Sequence, residues 1–299
     1  MDLVRLSASV YQLQGGANVG LIVQGGRALV VDAGLDRDSG RRVVRAAEGL
    51  GASVAAVAIT HAHADHFGGA AEIKRRTGAP VYAPTFEAAI VENPMLEAYY
   101  LFGGAQPPAE LLGKFTVGPA CTVDGHLTAG AQTLAGFAVE TIPMPGHAQN
   151  QMMVAAGEVC FAADAFFQPT VLEKYGIPFY VDAAQAHASL DLLAALDGRF
   201  AWFVPGHGPA VAQVAPLARL NQQHIGTIVD HVRQALESPA EASTVLARVA
   251  EALGVTIAEP AIYYLTLTTI QGCLSHLQAI GEARVNVVDR RAVWSRCAV

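Results

Sequence analysis

The chain is short of charge, short of thiol pairs and short of basic surface. Asp, Glu, Lys and Arg make up 15% of its 299 residues, against 52% apolar residues and a mean hydropathy of +0.33. That balance excludes a charge-rich disordered chain and describes a globular one with ample core, of one large or two modest domains. The four cysteines, Cys121, Cys160, Cys273 and Cys297, form no CxxC pair. They read as reduced thiols of a cytoplasmic protein, with Cys160 a core residue inside an apolar run. The start, Met1-Asp2-Leu3-Val4-Arg5, lacks the basic and apolar regions of a secretory signal. The longest uncharged stretch, Ala261 to Gly281, carries Thr266, Thr268, Thr269, Gln271, Ser275, His276 and Gln278. It is too polar for a membrane span and reads as a buried helix. The formal net charge is −7. Residues 1–215 carry all of that excess, and residues 216–299 hold seven Lys/Arg against seven Asp/Glu. Neither part is basic, so the electrostatic footprint of a nucleic-acid binder is missing.

Against that background, one run concentrates chemistry. Thr60-His61-Ala62-His63-Ala64-Asp65-His66 places three imidazoles and a carboxylate within six residues of a chain that has 10 His. It follows the strand-like Val54-Ala55-Ala56-Val57-Ala58-Ile59 and precedes Gly68-Gly69. Imidazole and carboxylate together suit a borderline divalent ion such as zinc. On an extended loop, alternation puts His61, His63 and Asp65 on one side and turns His66 elsewhere, toward a second ion.

One loop rarely closes a metal site. Three downstream residues stand in the same context, each at the end of an apolar run. His147 lies in Pro143-Met144-Pro145-Gly146-His147, Asp164 ends Val159-Cys160-Phe161-Ala162-Ala163-Asp164, and His207 lies in Trp202-Phe203-Val204-Pro205-Gly206-His207-Gly208. Loops at the ends of rigid strands are where catalytic groups concentrate. The other histidines, His126, His187, His224, His231 and His276, read as surface or satisfied core residues.

His-Ala-His-Ala-Asp-His, then Gly-His, then Asp, then Pro-Gly-His, in that order, resembles the metallo-β-lactamase superfamily. The opening Asn18-Val19-Gly20-Leu21-Ile22 and Ala28-Leu29-Val30-Val31-Asp32-Ala33-Gly34 are similar to that family's first strands. The resemblance covers about residues 8 to 210. It implies a mixed α/β fold, a four-layer αββα sandwich, over residues 1–215. It also implies two divalent ions, zinc before iron or manganese. His61, His63 and His147 would hold the first ion, Asp65, His66 and His207 the second, and Asp164 would bridge both. A hydroxide held between the ions would attack a carbonyl carbon, the metal charge would stabilise the oxyanion, and Asp65 could handle the leaving-group proton.

The rest of the chain reads as helices at about 36–49 and 69–77, a strand at Val81-Tyr82, and a less regular stretch over 85–119. Aromatics near Tyr99–Phe102 could form a flap there, and Phe166, Phe167, Tyr175, Phe179 and Tyr180 could wall a pocket. After Pro209 three helices, about 217–236, 242–253 and 260–280, are followed by a hairpin over 284–294. Residues 216–299 thus resemble a winged-helix module. Its third helix holds no Lys or Arg, so it is expected to pack on the catalytic domain, border its pocket or form a homodimer rather than read DNA.

The expected activity is metal-dependent hydrolysis of a small thioester, lactone or other ester. The ligand set resembles that of glyoxalase II, yet no basic motif in the C-terminal third matches that family's grip on glutathione. A nuclease or phosphodiesterase, or a mono-iron oxygenase or redox protein of the same superfamily, is the alternative. No basic surface favours the first and no flavin segment the last.

Overall fold

The computed structural model describes residues 1–297. Two sheets lie face to face. The first runs in chain order, β1 (Asp2–Arg5), β2 (Val10–Gln14), β3 (Val19–Gln24), β4 (Arg27–Val31), β5 (Ser53–Ala58), β6 (Val81–Pro84) and β7 (Gly125–Leu127). It is antiparallel up to β4 and parallel from β4 to β7. The second runs β8 (Gly130–Leu134), β9 (Phe137–Pro143), β10 (Met152–Ala156), β11 (Val159–Ala163) and β12 (Trp202–Pro205), with only the last pair parallel.

The apolar runs that read as strands are buried because both their faces are covered. Every residue of β10 and β11 is buried. Between the sheets, Leu29, Val31 and Ala56 of the first pack with Phe137, Val154 and Phe161 of the second. On the outer face of the first sheet lie α1 (Arg37–Gly49), then, beyond the one-turn α2 (Ala64–Phe67), α3 (Ala70–Thr77) and α4 (Thr85–Glu92). α1 starts where Asp36 accepts the Ser39 N–H at 3.0 Å, an N-cap. The short α5 (Met95–Leu101) follows α4. Against the outer face of the second sheet lie α6 (Pro169–Tyr175), α7 (Ala183–Ala195) and α8 (Ala215–Ala235). The result is the four-layer αββα arrangement.

Beyond α8 come α9 (Ala242–Leu253), α10 (Pro260–Ala279) and the hairpin β13 (Ala283–Val288) and β14 (Arg291–Arg296). Ile228, Val249, Ile270 and Leu274 from these helices join the same apolar cluster as Leu190 and Phe203. The C-terminal helices therefore close over the second sheet without an intervening solvent layer. Among the described residues no helix is long and apolar enough to cross a membrane.

Two local readings differ from expectation. Residues 85–119 were expected to be irregular, yet α4 and α5 occupy 85–92 and 95–101; their short lengths hid any helical period. Residues 64–67 are a helical turn rather than part of an extended loop. That turn brings Asp65 together with His66 and His207, where simple alternation had grouped it with His61 and His63.

Candidate metal centre

Both sheets end at one place. β5 delivers His61, His63, Asp65 and His66 from the first sheet. β9, β11 and β12 of the second deliver His147, Asp164 and His207. The seven residues read from the sequence converge in three groups: His61, His63 and His147; His61, His66 and Asp164; Asp65, His66 and His207. Within each group the candidate ligand atoms lie within 4.8 Å of one another.

Hydrogen bonds on the far side of four of the five imidazoles fix which nitrogen faces inward. Thr60 Oγ1 donates to Asp32 Oδ2 at 2.9 Å, so it accepts from His61 Nδ1 at 3.0 Å. His147 Nδ1 donates to the Phe179 carbonyl at 2.9 Å, and His207 Nδ1 to the Gly16 carbonyl at 2.5 Å. His66 Nδ1 donates to Asp32 Oδ2 at 2.9 Å. His63 turns Nε2 toward Glu97 Oε1, 4.0 Å away. Each outer nitrogen with such an acceptor carries the proton, which leaves the inner one a lone pair.

His63 has no hydrogen-bonded acceptor on its outer side, and its Nδ1 meets the inner nitrogens of two other imidazoles. His63 Nδ1 is 3.1 Å from His61 Nε2 and 2.8 Å from His147 Nε2. His66 Nε2 and Asp164 Oδ1 are buried, 3.6 Å apart, and have no hydrogen-bond partner. Buried polar atoms left facing one another without a partner are costly, and a bound cation between them would satisfy both. The donor set, five imidazoles and two carboxylates, fits divalent ions of the zinc class.

The electrostatics divide the site. Burial, reinforced by the neighbouring imidazoles, holds His61 and His63 well below the ordinary histidine value; burial also lowers His147. Burial opposes protonation of His66 and His207 too, but nearby carboxylates outweigh it. Asp65, Asp164 and Asp32 push His66 up to about 9, and Asp164 and Asp65 push His207 up to about 10. Burial works against the Asp164 carboxylate, yet His207 and His66 hold it well below the usual range.

The frame around the ligands depends on tight backbone packing. A Cβ on Gly206 would sit 1.8 Å from Asp164 Oδ1 and 2.8 Å from His66 Cε1. One on Gly68 would sit 1.9 Å from the Leu35 carbonyl oxygen, which accounts for the glycine pair after His66. Two non-glycine residues with positive φ stand here, Asp32 (62°) at the end of β4 and Ala163 (48°) beside Asp164. Strain of this kind collects at functional sites. Asn18 ties the halves together, donating from Nδ2 to the Pro205 and Gly208 carbonyls at 2.8 and 2.7 Å.

Sequence reasoning missed three carboxylates. Asp32 ends an apolar strand, the same signal that singled out Asp164, but was read only as part of a family-like opening. Glu87 and Glu97 carry no sequence signal, since each sits on a short helix in a stretch taken as irregular. Buried Glu87 accepts the Ala62 and Asn150 N–H groups, both at 2.9 Å, and so clamps the His61–His63 loop to the loop after His147. Burial pushes both Glu87 and Glu97 above the usual carboxylate range, Glu97 strongly.

Of the aromatics, Phe167, Tyr175 and Phe179 line a cleft over the site, whereas Phe166 and Tyr180 are core. Phe102 packs edge-on against Tyr264 instead of forming a flap; the aromatic that reaches the cleft from this region is Phe115. Cys160 is buried in the core, as expected. The remaining histidines stay apart from the centre, with His224 donating to the Gly176 carbonyl and His187 next to Asp191.

Comparison with known proteins agrees with this geometry. The hydroxyacylglutathione hydrolase of Dechloromonas aromatica is 30% identical over 178 residues, 60% of this chain and 53% of that protein. That of Xanthomonas euvesicatoria is 31% identical over 180 residues, 60% of this chain and 55% of that protein. The chain thus spans about half the length of the curated relatives it matches. A metallo-beta-lactamase family protein from Thermus thermophilus superposes with a TM-score of 0.75 at 20% identity, covering 98% of this chain and 100% of the other. A beta-lactamase domain protein from Burkholderia ambifaria gives the same TM-score at 18% identity, covering 99% and 94%. Residues 13–207 match the family model of the metallo-beta-lactamase superfamily, and to that superfamily the chain belongs.

Proposed function

We propose that the protein is a two-metal hydrolase of a small carbonyl substrate, a thioester, lactone or other ester. The observation that carries this reading is the convergence of five imidazoles and two carboxylates where the two sheets end, with His66 Nε2 and Asp164 Oδ1 buried and unpartnered among them. His61, His63 and His147 would hold one ion, Asp65, His66 and His207 the other, and Asp164 both. Two such ions, zinc before iron or manganese, would supply a hydroxide nucleophile near neutral pH and polarise the carbonyl oxygen.

The protein's own groups orient and insulate. Asp32, the Thr60 hydroxyl and the Phe179 and Gly16 carbonyls hold the imidazoles in one tautomer and one plane. Phe167 and Phe179 exclude water from one side of the centre. Asp65, less buried than Asp164, is placed to accept or return a proton at the leaving group.

The relatives named hydroxyacylglutathione hydrolase support thioester chemistry for the matched part. We read residues 1–215 as the catalytic domain and 216–299 as a winged-helix-like module that shapes its cleft, in a cytoplasmic protein. The test combines metal analysis with a hydrolysis screen over thioesters, lactones, β-lactams and phosphodiesters. About two ions per chain and ester or thioester turnover are expected. Asp164→Ala should lose both; full activity in that variant overturns the two-metal reading. Preferential phosphodiester cleavage would move the assignment to the nuclease branch.

A further inference from the structure

The cleft above the centre has a volume of about 420 Å³, ample for a drug-sized molecule. Its floor is His63, Asp65, His147, Asp164 and His207. Its walls differ in kind from its floor. One is the first two turns of α10, where Ala261, Ile262 and Leu265 turn half-buried apolar side chains into the cleft. The lining also includes Phe115 and Tyr175, which are 69% and 47% exposed. Large aromatics left bare at the mouth of a site are surface that a ligand would cover.

Among the described residues no Lys or Arg lines this cleft, and beyond the floor the carboxyl groups on its walls are those of Glu97 and Glu259. The nearest basic side chains by sequence, Lys114 and Lys174, lie over aromatic rings and are not part of the cleft lining. Lys114 lies over the Phe115 ring and 3.9 Å from Asp36, and Lys174 lies over the Tyr175 ring, 3.3 Å from its hydroxyl. A ligand bearing carboxylates away from its reacting carbonyl would therefore meet walls that are mainly apolar, with Glu259 and no Lys or Arg among them.

We infer that this cleft selects substrates with a neutral, apolar acyl group, several methylenes long, and rejects conjugates of acidic thiols such as glutathione. The inference takes its reaction from the hydrolase reading above, but its binding claim stands apart from it.

Two measurements on the metal-loaded full chain test it. In the first, acyl thioesters of the neutral thiol N-acetylcysteamine, from acetyl to octanoyl, are compared with S-lactoylglutathione. kcat/KM should rise about fourfold per added methylene over the first few, the factor expected for burying each one. Ile262→Lys and, as a milder change, Leu265→Ala should flatten that series. A flat series in the wild-type protein, or S-lactoylglutathione preferred tenfold over octanoyl, overturns the inference. In the second, binding of N-methyl alkanamides, from acetamide to octanamide, which resist hydrolysis, is followed by calorimetry. Affinity that rises with alkyl length upholds the apolar cleft even if no thioester is cleaved, in which case the hydrolase reading alone falls. Affinity independent of length overturns the cleft assignment whatever the turnover.

Discussion

Asp32 Oδ2 lies 2.9 Å from His66 Nδ1, and the same oxygen lies 2.9 Å from Thr60 Oγ1. One buried carboxylate from the end of β4 thus sets the tautomer of His66 directly and that of His61 through Thr60. Asp32→Asn would remove the charge and, with its oxygen kept for His66 and the Thr60 hydroxyl, would turn a donating amide toward the Thr60 N–H that Asp32 Oδ1 accepts at 2.8 Å. Metal affinity, measured by competition with a chelator, should fall about 10- to 100-fold. Wild-type affinity in the variant would show that Asp32 only fills space.

Gly206→Ala tests how closely the ligands are held. The added methyl collides with Asp164 Oδ1 and His66 Cε1. Displacing either by about 1 Å is expected to cost on the order of 10²-fold in kcat. The predicted signature is a large fall in kcat with little change in KM, read from steady-state kinetics. An equal rise in KM alone would place the effect in the cleft wall instead.

How far the sequence foretold this centre depends on what each residue advertises. The seven inward-facing side chains were legible because each follows an apolar strand and belongs to a residue type that binds metals. The fold was legible because β5, β10 and β11 are continuous apolar runs. Glu87 and Glu97 were not, since a carboxylate on an eight- or seven-residue helix has no periodic context. The turn at Ala64–Phe67 was also hidden, because one helical turn carries too few residues to show a 3.6 period. The cleft walls come from α6, α10 and the segment around Phe115, far apart in sequence, so only the tertiary arrangement defines them.

Glu72 gives a pH test remote from the centre. Its carboxylate is covered by guanidinium groups rather than by apolar atoms: Arg75 and Arg76 bond to it at 2.8 Å, Arg37 at 3.1 Å and Arg41 at 3.3 Å. Bonding to Arg75 and then Arg76 holds its pKa below the ordinary value of 4.5. A depressed folded pKa contributes stability that is complete above the unfolded value and is lost as pH falls toward the folded one. The Tm difference between wild type and Glu72→Gln should therefore be largest near neutral pH and shrink steadily below pH 4.5. A difference that stays constant through the acid range would assign the effect to packing.

Thr269 on α10 reaches into the site's supports. Its hydroxyl donates to the Pro178 carbonyl and accepts the Tyr180 N–H, both at 3.0 Å, on either side of Phe179, whose carbonyl orients His147. Thr269→Val keeps the shape and leaves both backbone groups buried and unpaired. A loss of about 1–3 kcal/mol in denaturant unfolding is expected, together with weaker metal retention. The control is Thr268→Val, whose hydroxyl bonds only within its own helix, to the Tyr264 carbonyl.

Removal of the ions should lower stability in proportion to their affinity. Ligand binding to the native state alone stabilises it by about 4 kcal/mol at a thousandfold excess over Kd. Dialysis against a strong chelator should lower Tm, and zinc should restore it. An unchanged Tm would mean that the described side chains hold no ion in solution.

The chain crosses from the first sheet to the second once within the sandwich, at Thr128–Ala129 between β7 and β8. His61 to His66 come before that crossing; His147, Asp164 and His207 come after it. Any ion shared among them is therefore a fastener between two successive lengths of polypeptide, as a cross-link would be, only reversible. Without it, the two lengths would be held face to face by the apolar side chains between the sheets and by the backbone at that one crossing.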